Sequence, residues 1–145
     1  MSDHAEAESE IRELFRRWFA ASAAKDIDGA MSPIATDVVS YEHTDRLQHV
    51  GIDAVRAICQ TGFGAMQGTF MWDVPDLHVV VTEDVAVTWG MNRIRQIDES
   101  GTERLHFSRG TRVFRRLDGA WRMIHQHVSY PLDPATGMAQ TDLTP

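Results

Sequence analysis

Residues 108–131 read SRGTRVFRRLDGAWRMIHQHVSYP, and this stretch decides the fold. Two runs flank Leu117-Asp118-Gly119, where Asp-Gly supplies the positive-φ residue that a tight hairpin needs. After the turn, Trp121, Met123, His125, His127 and Ser129 alternate with Arg122, Ile124, Gln126 and Val128. Neither set is purely polar, so each face of the hairpin is expected to cover something. The hairpin is predicted to be the centre of a curved sheet. One face closes a pocket for a small molecule, and the other pairs with a second subunit.

Working outward, the segment from 69 onward has the texture of strands over about 70–81, 84–97, 103–117 and 120–130. The turns between them are too short to hold crossover helices, which predicts an antiparallel meander. Pro75 is expected to kink the first of these strands. Upstream, Ile11, Leu14, Phe15, Trp18 and Phe19 fall on one stripe of a helix over about 6–25, with Asp3 and Glu6 resembling a capping pair. Asp26 caps a short helix through Met31, and residues 37–43 read as a strand. Residues 44–50 look like a loop, and a third helix carries Ile52, Val55, Ile58 and Cys59 until Gly62 and Gly64 end it. Helices first and a long meander after them mean an α+β fold, a cone-shaped barrel with N-terminal helices packed on a strongly bent antiparallel sheet. Residues 1–132 form its single domain, and 133–145 are a C-terminal arm or tail.

The chain has 145 residues, enough for one core, with 43% hydrophobic residues and a net charge of −7. That charge opposes a nucleic-acid-binding role, because phosphate contacts need a basic surface. No apolar run is long enough to span a membrane, and no signal peptide is visible at the acidic N-terminus. A single cysteine, Cys59, cannot staple the fold. Together these features predict a cytoplasmic protein with no nucleic-acid or membrane partner.

The order of helix, Asp26-Ile27-Asp28, Ala35-Thr36-Asp37, Tyr41-Glu42, Gly51-Ile52, four strands and a final W-x-x-x-H-x-H-x-S resembles the nuclear-transport-factor-like superfamily. Within it the chain looks most like SnoaL-like and ketosteroid-isomerase-like proteins. Residues 111–121 and 125–129 are also similar to the association domain of calcium/calmodulin-dependent kinase II. The resemblance implies that Val38, Ser40 and Glu42 face inward on the first strand. It implies the same for Asn92, Ser108, Gly110, Arg112, Phe114, Ile124, Gln126 and Val128 on the meander. Glu42 falls where ketosteroid isomerases carry a general-base aspartate, Trp18 where they carry an oxyanion-binding tyrosine, and Arg112 near their protonated aspartate. An indole cannot act as an acidic phenol, so steroid isomerisation by that constellation is not expected.

The resemblance therefore assigns Glu42 and Arg112 as catalytic residues, the acid abstracting a proton beside a carbonyl and the guanidinium holding the oxyanion. Trp18, Asn92, Ser108, Phe114, Ile124, Gln126 and Val128 are its substrate contacts. A buried ion pair without chemistry, or an anion-binding pocket built on Arg112, fits the same residues. His125-x-His127 has a spacing that metal sites use, with His106 or Glu103 as a third ligand. The favoured reading is interfacial or core histidine, with no metal and no cofactor. Two functions follow. One is a cofactor-independent isomerase, cyclase or dehydratase acting on a carbonyl-containing metabolite. The other is a non-catalytic oligomerising or ligand-sensing module whose outer face carries Trp121, Met123 and the two histidines. In both the chain pairs with itself as a homodimer or higher homo-oligomer.

Overall fold

The structure, a computed structural model, describes residues 2–145. Its elements in chain order are α1 (Ser2–Ala23), α2 (Ile27–Met31), β1 (Ile34–Tyr41), β2 (His49–Val50), α3 (Ile52–Ala65), β3 (Thr69–Asp73), β4 (His78–Thr82), β5 (Val85–Ile97), β6 (Glu103–Leu117) and β7 (Ala120–Ser129). All the strands join one sheet in the order β2-β1-β7-β6-β5-β3, and β4 also pairs with β5. The α+β architecture expected from the sequence is present, with helices on one face of a strongly curved sheet.

The amphipathic stripe explains where α1 lies. Ile11, Leu14, Phe15 and Trp18 are all buried against the sheet, in one cluster with Val38, Ala86, Phe114, Trp121 and Met123. Phe15 meets Phe114 edge-on at 5.7 Å between ring centroids, which ties the helix to the middle of β6. The Asp118-Gly119 turn has the expected left-handed geometry, with φ of 51° and 81°. Pro75 falls in the break between β3 and β4, which both pair with β5 at its two ends.

Five local expectations are corrected. Most of the sheet is antiparallel, but β1 pairs with β7 in parallel. The long excursion through α3 and the meander makes this possible, since parallel neighbours need a distant return. β1 begins at Ile34 rather than 37 and ends at Tyr41, so Glu42 follows the strand; residues read as loop supply β2. Asp3 lies inside the first turn of α1, so Asp3 and Glu6 form no capping box. α3 runs through both Gly62 and Gly64 and stops only at Met66, whose N–H bonds the Gly62 carbonyl at 3.2 Å. Finally, the β6–β7 register slips between Val113 and Phe114, which pair with His125 and Met123.

That slip leaves Ile124 as an extra residue and inverts the alternation around it. Trp121 and Met123 therefore point into the core, where they are 4% and 0% exposed, instead of outward. Beyond the slip Gln126 and Val128 are buried, and Ile124 leaves the inward face. The tail folds back through a short bridge between Leu132 and Ala139.

Candidate active site at the rim of the cone

β1 and β7 run in parallel and end together, beside the middle of β6. This brings Ser40 and Glu42, Gln126 and Val128, and Ser108 and Arg112 to one side of the sheet. Glu42 is half-buried, and its Oε1 accepts hydrogen bonds from the Ser40 hydroxyl at 2.5 Å and from Gln126 Nε2 at 2.8 Å. Its Oε2 has no hydrogen-bond partner among the described residues. Gln126 Nε2 also donates to Ser40 Oγ at 3.0 Å, and its carbonyl accepts from Arg112 Nε at 3.1 Å. Arg112 donates again through a terminal nitrogen to Asn92 Oδ1 at 3.0 Å. The Asn92 oxygen takes a second bond from Trp72 Nε1 at 3.1 Å, while its amide donates to Ser108 Oγ at 3.0 Å. One continuous chain thus runs from Ser108 through Asn92, Arg112 and Gln126 to Glu42.

The guanidinium of Arg112 lies among aromatic rings, 5.1 Å from Trp72, 5.6 Å from Trp18 and 6.0 Å from Phe15. These cation–π contacts replace part of the hydration it loses. Burial still pulls its pKa down to about 10, with the Glu42 carboxylate opposing the fall. Gly110 makes room for this arrangement, since a Cβ there would sit 2.8 Å from an Arg112 terminal nitrogen and 3.0 Å from Asn92 Nδ2.

The expected hollow is closed. Phe15, Trp18, Phe114 and Met123 occupy the interior, and Arg112 is 4% exposed. Recesses of about 720, 280 and 160 Å³ reach the outer sides of Trp18, Trp72 and Ser108, and one of about 230 Å³ lies apart; none of the four is lined by Glu42 or Arg112. Of the residues picked from the sequence, Trp18, Asn92, Ser108, Arg112, Phe114, Gln126 and Val128 are all buried on the inner side. Ile124 is not brought to the group, because the register slip turns it out of line.

Four further residues lie near this group, His43 and Cys59 within reach of the Glu42 charge. His43 packs on Tyr130 at 4.6 Å between centroids with the rings tilted by 32°, and its Nε2 is buried and unpaired among the described residues, as is His106 Nδ1. Burial lowers the pKa of His43, an effect opposed by Glu42 and reinforced by Arg112 and His106; burial also lowers that of His106. On α3, burial followed by the Glu42 charge pushes the Cys59 thiol up to about 11. Only adjacency to Glu42 could have pointed to His43; Tyr130 and Cys59 carry no sequence signal. The pair His125 and His127 lies on the other side of the sheet, both rings edge-on to Tyr41, with His125 Nδ1 2.7 Å from the Val39 carbonyl. Among the described residues no three His, Cys, Asp or Glu side chains converge as metal ligands, and no helix is long and apolar enough to cross a membrane.

The two lowered histidines set a pH dependence. Their folded pKa lies below the ordinary 6.5, so the unfolded chain binds protons that the fold resists. Their share of stability is complete above about pH 6.5 and is lost as pH falls through and below it. Thermal melts between pH 7.5 and 5 are expected to show a falling Tm, and His43→Gln should flatten that slope. An unchanged slope in His43→Gln contradicts the assignment.

Residues 11–133 match the family model described as SnoaL-like domain. An NTF2-like protein of unknown function from Pseudomonas putida KT2440 is 36% identical, with a TM-score of 0.88 over 97% of this chain and 98% of that one. A protein proposed to be a dehydratase of the NTF2-like family from Streptomyces avermitilis shares the fold at 19% identity, with a TM-score of 0.75 over 86% and 96%. So does the association domain of CaMKII from C. elegans, at 17% identity and a TM-score of 0.72 over 89% and 99%. No curated protein matches significantly. With the family model spanning most of its length and this architecture behind it, the chain belongs to the SnoaL-like family.

Proposed function

We propose that the chain acts on a small carbonyl-containing metabolite at the rim of its cone, without a cofactor, by proton transfer through Glu42. The observation that carries this reading is the asymmetric clamp on the carboxylate. Ser40 and Gln126 fix Oε1, and Oε2 has no partner among the described residues. A base held by one oxygen keeps the other for a proton adjacent to a carbonyl. Isomerisation, cyclisation and dehydration all begin with that step. Arg112 cannot meet the substrate from its buried position, so here it is a positioning residue, orienting Gln126 and through it Glu42. Glu42→Gln is expected to lower kcat on an identified substrate by at least about 10²–10⁴-fold, the usual worth of a positioned base, while leaving Tm and assembly intact. Full activity in Glu42→Gln sinks the catalytic assignment.

A second reading, self-association, is supported by the outer side of the sheet. Strand pairing aligns Val80, Val87, Val113, His125, Val39 and Val50 in one row, and His78, Trp89, Thr111, His127 and Tyr41 in the next. Trp89 is 43% exposed and Val80 53%. A contiguous apolar band of this kind is rarely left to water. Two structural relatives carry association-domain names, one from Xanthomonas campestris and one from C. elegans. His127→Ala is expected to weaken a homodimer in sedimentation velocity, shifting the boundary toward monomer at micromolar concentration. A chain that sediments as a monomer throughout contradicts this reading.

A further inference from the structure

The recess of about 720 Å³ lies away from Glu42, between α1, α2 and the start of β7, and is within the size range of about 300–1,000 Å³ that small-molecule sites occupy. Its floor is apolar: Leu14, Trp18, Pro33 and Trp121 all line it and all are buried. α1 and α2 close one end of the recess, packed so tightly that a Cβ on Gly29 would come within 2.9 Å of the Ala21 Cβ and 2.5 Å of Asp26 Oδ2.

The charges around the recess are unevenly committed. Glu10 Oε2 accepts from Trp121 Nε1 at 2.8 Å and from Arg116 at 3.1 Å. Asp26 spends a carboxylate oxygen on the Gly29 N–H at 3.1 Å, capping α2. Glu10 is thereby paired with a cation, while Asp26 keeps its second carboxylate oxygen beside Gly29, at the α2 end of the recess. The arginines are less committed. Arg17 lines the recess with no hydrogen bond or ion pair among the described residues. Arg122 uses one terminal nitrogen on the Ser32 carbonyl at 2.9 Å and has no carboxylate partner among the described residues.

We propose that this groove binds a small organic anion, an apolar body seated on Leu14, Trp18 and Trp121 with a carboxylate or sulfonate held by Arg17 and Arg122. An apolar floor contributes affinity in proportion to the area it covers, and guanidinium groups give direction by pairing with a planar anionic head. A cationic or neutral ligand of the same size meets two unpaired arginines and leaves them so. The site shares no residue with the Glu42 hydrogen-bond chain and does not depend on the chemistry proposed there.

The test is a fluorescence titration of the full chain with 8-anilinonaphthalene-1-sulfonate, an amphipathic anion whose emission rises in apolar surroundings. Saturable binding at one site per chain is expected, with quenching of tryptophan emission. Arg17→Gln with Arg122→Gln is expected to weaken it about tenfold, and Arg17→Gln alone, at an exposed helix position, about threefold, both at unchanged Tm. Ala20→Trp should weaken binding by filling the groove, and Glu42→Gln should leave it unchanged. Absence of saturable binding overturns the proposal. So does equal affinity in the arginine variants, which would mean apolar adsorption only, or a loss of affinity in Glu42→Gln matching theirs.

Discussion

Arg112→Ala is expected to lower stability by about 3–5 kcal/mol, read as a drop in Tm of roughly 6–15 °C for a chain of this size. The substitution empties a space enclosed by Phe15, Trp18 and Trp72. It also takes the donor from Gln126 Oε1, while Asn92 Oδ1 keeps only the indole of Trp72. One effect runs the other way. Keeping a guanidinium out of water is costly, as its pKa of about 10 records, and alanine releases that cost. Arg112→Met isolates the packing share, because it refills the space while losing the same charge and the same hydrogen bonds as alanine. Its loss is expected to be about 2 kcal/mol smaller than that of alanine, the share that refilling the space returns. If Ala and Met variants melt together, packing around the guanidinium is not what the residue contributes.

The second large effect comes from a glycine at the sheet edge. Gly68 has φ of +83°, and a Cβ there would fall 2.1 Å from the Ile97 carbonyl oxygen. Gly68→Ala therefore meets both an unfavourable backbone conformation and a clash with main chain that cannot rotate away. A loss of about 2–4 kcal/mol is expected from strain and displacement of β3. Gly62→Ala has the opposite sign. Gly62 sits inside α3 with nothing within 4 Å of its Cβ position. Alanine there is expected to gain about 0.5–1 kcal/mol by narrowing the unfolded ensemble and restoring helix propensity. Chemical denaturation of the two variants beside the parent checks both signs at once.

Gly62 also marks the limit of reading structure from sequence. Two glycines in three residues are a strong stop signal, but Phe63 lies between them and packs on the core. That tertiary contact carries α3 past both. The long elements were legible because their periodicity is strong: the stripe from Ile11 to Phe19, the alternation through β5 and β6, and the Asp118-Gly119 turn. The slip opposite Val113 was not, since one inserted residue leaves no mark in the composition of β7. It reversed the side assigned to Trp121 and Met123 and removed Ile124 from the group. Had the alternation been anchored on the two largest apolar residues of the strand, the slip would have shown as a conflict with Gln126 and Val128.

The candidate site was legible only through the family resemblance. Local pattern says nothing about which strand end meets which, and the parallel pairing of β1 with β7 is what brings Gln126 beside Ser40 and Glu42. The filled interior was also hidden. Aromatic residues at inward positions line a cavity or fill it, and only the tilt of α1 decides. Here Trp18 and Phe15 reach across to Arg112 and close the cone. Glu42 is left at its rim, near two imidazoles whose pKa burial lowers and a thiol whose pKa burial raises.

Deuterium incorporation next to carbonyl groups tests this account most directly. A panel of ketones and 1,3-dicarbonyl compounds is incubated in D₂O with the chain or with Glu42→Gln, and loss of the α-proton signal is followed by ¹H NMR. The account predicts accelerated loss for at least one class of compound with the native chain and background loss with Glu42→Gln, at equal thermal stability. Background loss across the whole panel with the native chain, or equal acceleration by both proteins, contradicts it.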